Sequence, residues 1–255
     1  MSRSAHRVEL AVGFVLHRRA YRDTSLIVEL FTRDYGRLSA FARAARGPRS
    51  RFAPLQPFRP MLLSWSGRGE APTLTAAEGD GPPPPALTPG YLFSAFYLNE
   101  LLLKLTVAHD PQRELYLHYA ATVARLGEGA PLDEVLRHFE NRLLQLLGYG
   151  SELAVEAGGR PVEAEAYYYF RPGAGVWPVG VGVQDRAGAA GAAGAAGAVP
   201  GRVLLALAAE LPLSDAEGQR QARAVLRAAL DHCLEGRELA TRAVARAVAK
   251  MERSA

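Results

Sequence analysis

Six arginines, at 37, 43, 46, 49, 51 and 59, and no acidic residue fall within positions 36 to 59, with Phe41 and Phe52 between them. Guanidinium groups interleaved with flat rings have the chemistry to hold a polyanion. The cations meet phosphates, and a ring offers an unpaired base a stacking face worth about 1–3 kcal/mol. The asymmetry extends further: residues 1 to 70 carry 13 arginines against 5 acidic residues, while the chain as a whole is only +4. A basic first third beside a mildly acidic remainder points to an anionic partner for that third. Lys104 and Lys250 are the only lysines, so the choice of arginine over lysine carries no weight, whereas the sign of the charge does.

Other chemistries are missing. There is no G-x-x-x-x-G-K-[ST] phosphate loop, and GVGVQD at 180 to 185 fails the dinucleotide pattern at its last position. No G-x-S-x-G elbow occurs. Histidines 6, 17, 109, 118, 138 and 232 form neither an HxxxH pair nor an HExxH frame. Cys233, the single cysteine, allows no intrachain disulfide and no cysteine-rich metal site, and it suits a small core position. No catalytic residue, metal site or cofactor is expected. The first ten residues hold no apolar signal core, and no run approaches membrane-spanning length, so a cytoplasmic, soluble protein is expected.

The elements that must position the arginines read as an α+β chain in three segments. In 1–80, LAVGFVLHR, TSLIVELFT, GRLSAFARA, FRPMLLSWS and APTLTAAE are strand-like, and turns such as Asp34-Tyr35-Gly36 separate them. Five short strands suit a small closed barrel, of which the OB-fold is the commonest. As a strand, GRLSAFARA turns Leu38, Ala40 and Ala42 to one side and Arg37, Ser39, Phe41 and Arg43 to the other. Phe41 is then either a stacking platform or a core residue. Arg46, Arg49 and Arg51 belong to the acid-free loop that follows.

Four consecutive prolines in 78–90 make a stiff connection to the segment 81–150, which reads as a central three-helix bundle. Its helices are expected to start at Thr88-Pro89, near Asp110-Pro111 and after Pro131, with Gly148 as the final stop. The segment 151–255 is a smaller mixed region. It holds a hairpin of YYYF (167–170) and VWPVGVGV (176–183), a low-complexity Gly/Ala loop over 187–198, and two or three helices. Ser214-Asp215-Ala216-Glu217 looks like a capping box, and a last helix over 237–251 aligns Arg242, Arg246 and Lys250.

YRDTSLIVELFTRDYGRLSAFARAARGPRS followed by LQPF resembles the N-terminal domain of the RecO family of bacterial recombination mediators. YLNELLLKL (97–105), LRHFENRLLQLLGYG (136–150) and LEGRELATR (234–242) continue the resemblance in the family's order. It implies an N-terminal OB-fold, a central helical domain and a smaller C-terminal region. It also implies a non-enzymatic protein that binds single- and double-stranded DNA and anneals complementary strands. Implied partners are the acidic tail of single-stranded DNA-binding protein, RecR, sometimes RecF, and indirectly RecA.

The family's basic "K-G-A-R" stretch falls on Arg43, Ala44, Ala45 and Arg46, and its "R-R-F-E" on Arg137, His138, Phe139 and Glu140. Arg137 and His138, with Leu143, are the implied contacts for the acidic peptide tail. Many members carry the first CxxC of a zinc site where this chain has SELAVEAGGRPVEAE, a departure that implies no zinc here. Two further readings stay open: an adaptor whose basic barrel binds an acidic protein, and an enzyme on nucleic acid using isolated carboxylates and a metal.

Overall fold

The computed structural model describes residues 7–46, 50, 52, 55–67, 69–82, 84, 86–150, 152–180 and 197–252. Arg49, Arg51 and residues 187–196 of the Gly/Ala loop lie outside them, as does the side chain of Lys250. The chain divides into two compact units, one of residues 1–129 with 239–255 and the other of residues 130–238.

The first unit is built on β1 (Arg7–Tyr21), β2 (Ser25–Thr32), β3 (Gly36–Ala42), β4 (Met61–Ser66) and β5 (Thr73–Gly79). They close into a barrel in the order β1-β2-β3-β5-β4, the expected OB-fold. Period-two patterning does this: β3 alternates strictly, with Leu38, Ala40 and Ala42 buried and Arg37, Ser39 and Phe41 on the other side. Leu38, Ala40 and Ala42 join Val15, Val28, Leu30, Met61, Leu63 and Leu74 in the barrel core. Gly36, at φ +67°, is required twice over at the head of β3: a Cβ there would sit 2.2 Å from the backbone oxygen of Asp110.

α1 (Pro89–Leu105) begins at Pro89 as expected, with Thr88 as N-cap through its backbone. α2 spans Arg113–Gly127, starting beyond Asp110-Pro111 because Gln112, not yet helical, is its N-cap. Both helices belong to the barrel's unit. The chain's last helix, α6 (Ala240–Glu252), also does: Glu100 of α1 accepts from the Ala240 and Thr241 N–H groups at 2.7 and 2.9 Å. A carboxylate therefore caps a helix 140 residues away.

The second unit holds α3 (Leu132–Leu146), α4 (Gly201–Ala208) and α5 (Ala216–Leu234). Its small sheet has the order β7-β6-β8, from β6 (Tyr167–Arg171), β7 (Gly175–Pro178) and β8 (Val199–Pro200). The 167–178 hairpin turns through Gly173 and Gly175, both at positive φ. The N-cap of α5 is Asp215 rather than Ser214, because it is the Asp215 carboxylate that accepts from Gly218 N–H, at 2.7 Å. The sequence boundaries at 80 and 150 mark changes of element type. Packing groups the helices otherwise, with α1 and α2 in the barrel's unit and α3 against α5.

Candidate nucleic-acid interface

The outer side of β1–β2–β3 has two halves. In one, Phe14 and Phe31 lie opposite each other across β1 and β2, and α2 covers both. Tyr119 stands edge-on to Phe14 at 5.1 Å, and Tyr116 lies 5.8 Å from Phe31. All four rings are at most 4% exposed. Burial pushes the Tyr116 phenol up to about 12 and that of Tyr119 further still, so both stay neutral. Tyr119 donates to Asn99 Oδ1 at 2.6 Å, and Asn99 Nδ2 donates to the carbonyl of Leu16 at 2.8 Å. The β1–β2 register shifts between Val15 and His17, so Asn99 secures the backbone where β1 is irregular.

Beyond that point β1 has parted from β4 and continues as an arm paired with β2, which β3 pairs in turn, and residues 17–24, HRRAYRDT, are all exposed. This arm carries Arg18, Arg19, Tyr21 and Arg22 against Asp23 alone. Arg19 and Phe41 flank Ile27 from either side in one cross-strand row. The Tyr21 ring, 37% exposed, lies 5.4 Å from the Phe41 ring, and the Arg22 guanidinium sits 5.3 Å from the Tyr21 centroid. The turn after β3 folds onto the arm's tip, with Arg46 N–H donating to Thr24 C=O at 2.9 Å. Ala44 takes positive φ in that turn, and Arg43 and Arg46 are exposed. Four arginines and two rings, from two stretches of sequence, thus share this end of the barrel with Arg18.

Phe41 is half-buried and outside the barrel core, held from one side by Tyr21. Arg37 does not reach this surface. Its guanidinium donates to Thr106 Oγ1 and to the Thr106 carbonyl, both at 3.1 Å, and faces Glu29 at 3.4 Å. Ser39 donates to the same carboxylate at 2.5 Å. Alternation gave the right side of the strand for Arg37; the α1 C-terminus then claimed its charge.

The peptide site implied on α3 is corrected in part. Leu143 is fully buried, as is Phe139, so neither can touch a peptide without unfolding the helix's packing. Arg137 Nη2 donates to Glu140 Oε1 at 3.0 Å and its Nε faces Oε2 at 2.8 Å as an ion pair, on a side chain only 14% exposed. His138 stays at the surface, with Nδ1 3.7 Å from Glu210. On α6, Arg242 lies over the Tyr97 ring at 5.6 Å.

Sequence reading missed Arg18, Arg19, Tyr21 and Arg22. The signal was present: HRRAYR follows a buried apolar run and raises the charge of the first third, but nothing local says that β1 runs on past its β4 partner.

At the position of the family's zinc cysteines, Glu156 accepts from Arg160 Nε at 3.0 Å, and Glu156 N–H donates to the Arg160 carbonyl at 2.8 Å. A carboxylate–guanidinium pair closes that turn, and such a donor set does not fit zinc. No group of three or more His, Cys, Asp and Glu able to hold a metal occurs among the described residues. Among the same residues no helix is long and apolar enough to cross a membrane.

Comparison with known proteins agrees with this architecture. The family model described as "Recombination protein O N terminal" matches residues 8–81, and "Recombination protein O C terminal" matches 88–243. The DNA repair protein RecO of Alkalilimnicola ehrlichii is 44% identical over 252 residues, 99% of this chain and 96% of that protein. Its counterpart in Methylococcus capsulatus is 42% identical over 92% of each chain. That of Pseudomonas aeruginosa is 48% identical over 65% of this chain and 70% of its own. With both family models spanning an OB-fold and the helices that follow it, the chain belongs to the RecO family of DNA repair and recombination proteins.

Proposed function

We propose that the open half of the barrel's outer side is a DNA-binding surface and that the protein works as a recombination mediator without catalysing a reaction. One observation carries this: Arg22 lies over Tyr21, Tyr21 meets Phe41, and the turn that bears the exposed Arg43 and Arg46 is tied to the same end of the barrel by the Arg46–Thr24 hydrogen bond. Phosphates of single and double strands alike can meet the arginines, while the two rings suit unpaired bases. Cations on both the far end of β1 and the adjoining turn would lower the repulsion between two strands brought together, which is what annealing needs. Family kinship supports the rest of the reading: work with RecR, with or without RecF, to load RecA on DNA coated by single-stranded DNA-binding protein, in the cytoplasm beside the nucleoid. Arg49 and Arg51 are proposed to extend the surface on charge alone. Contact with that coating protein's acidic tail is retained as part of the proposal, with His138 the accessible residue of the α3 group.

The test is binding of a labelled oligonucleotide across a salt series. Each single-strand phosphate contact contributes a slope of about −0.7 in log K against log salt. The triple variant Arg22→Glu, Arg43→Glu, Arg46→Glu is expected to bind more weakly and with a flatter slope. A folded triple variant with unchanged affinity and slope would place the surface elsewhere. Failure of the unaltered protein to bind DNA even at low salt would favour an acidic protein as the barrel's partner.

A further inference from the structure

Next to this face the barrel has a cavity of about 370 Å³. β3 and β5 pair only at Phe41 and Thr73, and apart from the Pro72 carbonyl, which takes the Phe41 N–H, the β4–β5 loop runs past β3 unpaired and leaves a slot. Leu38 and the nearly buried Trp65 form its floor, with Tyr35, Pro72 and the backbone of Gly67 and Gly69 around it. Tyr35 meets Trp65 edge-on, with centroids 5.2 Å apart, and is 39% exposed, so a ring stands at the mouth. At Gly69 an added Cβ would meet nothing within 4 Å, which leaves that part of the wall as bare backbone.

We infer that this pocket takes one unstacked base of a single strand whose phosphates lie on the arginines of the open face. The inference rests on the reading of that face as a DNA surface. One observation connects them. Pro72 lines the pocket, and its carbonyl accepts from Phe41 N–H at 2.9 Å, so the wall of the pocket is bonded to the strand residue that carries the open face's ring. The volume lies near the lower end of the usual ligand range of roughly 300–1,000 Å³, with aromatic and proline lining and backbone groups at hand for a base edge.

An acidic peptide is the poorer fit. Arg33 bonds Asp34 at 3.0 and 3.1 Å and Arg113 lies 3.9 Å from it, so two cations near the mouth already face a carboxylate. A stacked duplex cannot deliver a base without unpairing it. The pocket therefore gives the surface a means of preferring single strands that phosphate contacts alone do not supply.

The experiment uses the full chain carrying Trp177→Phe, which leaves Trp65 as the only tryptophan. A single-stranded oligonucleotide, the matched duplex and an abasic oligonucleotide of equal length are titrated against Trp65 emission and by anisotropy. The expected result is a change in Trp65 emission with the single strand and none with the abasic chain or the duplex. Tyr35→Ala should weaken single-strand binding at least about fivefold while leaving duplex binding unchanged, and Tyr35→Phe should restore it. An abasic chain that shifts Trp65 as the normal one does overturns the inference, as does equal loss of single- and double-strand binding in Tyr35→Ala. A Trp65 response to an acidic peptide but not to oligonucleotide would assign the pocket to a peptide instead. If the starting protein binds both DNA forms and Tyr35→Ala alters neither, the pocket fails alone. If it binds no DNA at all, the reading of the face fails with it.

Discussion

The covered and open halves of one sheet surface are made from the same strands with the same alternation, yet they have opposite fates. Phe14 and Phe31 are sealed under Tyr116 and Tyr119, while Phe41, two residues beyond Ser39 on β3, meets one ring among the described residues, that of Tyr21. The covered half turns aromatic area into stability; the open half keeps aromatic area and cations available to a ligand. What separates them is where α2 ends its reach, not the character of the strands.

The sharpest way to test that contrast is to damage each half and read both stability and binding. Phe31→Ala removes a buried ring from the covered half and is expected to cost about 3–5 kcal/mol in denaturant unfolding. The folded fraction should bind oligonucleotide as before, and a specific loss of affinity would show that the halves are not separable. Asn99→Leu sits on the border, since it leaves the Leu16 carbonyl and the Tyr119 hydroxyl without their partner. A loss of about 1–3 kcal/mol per stranded group is expected, together with faster hydrogen exchange at the base of the arm. Wild-type exchange there would mean that Asn99 does not hold the arm.

On the open half, Arg19→Ala and Arg22→Ala should move stability by no more than about 0.5 kcal/mol. Both should weaken DNA binding measurably at moderate salt, and the reverse pattern would return the arm to a structural role. The smallest effect concerns pH. Burial pushes the Glu100 carboxyl up, but hydrogen bonds from Thr241 and Ala240 and the charge of Lys104 outweigh it, and the net position is below the usual range. Because its folded pKa is depressed, Glu100 contributes stability above its unfolded pKa and loses it as pH falls through the folded one. Protection of the Ala240 and Thr241 amides, taken as exchange relative to the intrinsic rate at each pH, should therefore fall on acidification below about pH 4. Glu100→Gln should shrink that pH dependence.

Much of the fold was legible locally. β3 was readable to within two residues because GRLSAFARA alternates cleanly, and Pro89 fixed the start of α1 because its ring suits a first helical turn. The site was legible only in part. Arg43 and Arg46 were found by charge, and both are exposed. Arg37 was assigned to the correct side of its strand, but a threonine 69 residues away takes its guanidinium. Leu143 looked available on a helix whose partner, α5, lies far ahead in sequence, and there it is buried. Ser214 lost the cap to its neighbour because a one-residue shift decides which oxygen reaches the free N–H groups.

By itself, then, the sequence determined the five strands, the helices, the inward set of each strand and the concentration of positive charge, all of which depend on neighbours within a few residues. Only the tertiary structure decided which outward residues stay free. That depends on what packs over them: α2 covers Phe31, Thr106 occupies Arg37, and nothing among the described residues closes over the Arg22–Tyr21–Phe41 row. Side-chain direction is a local property with a period of two, whereas coverage is set by contacts between distant segments and leaves no periodic trace in the chain.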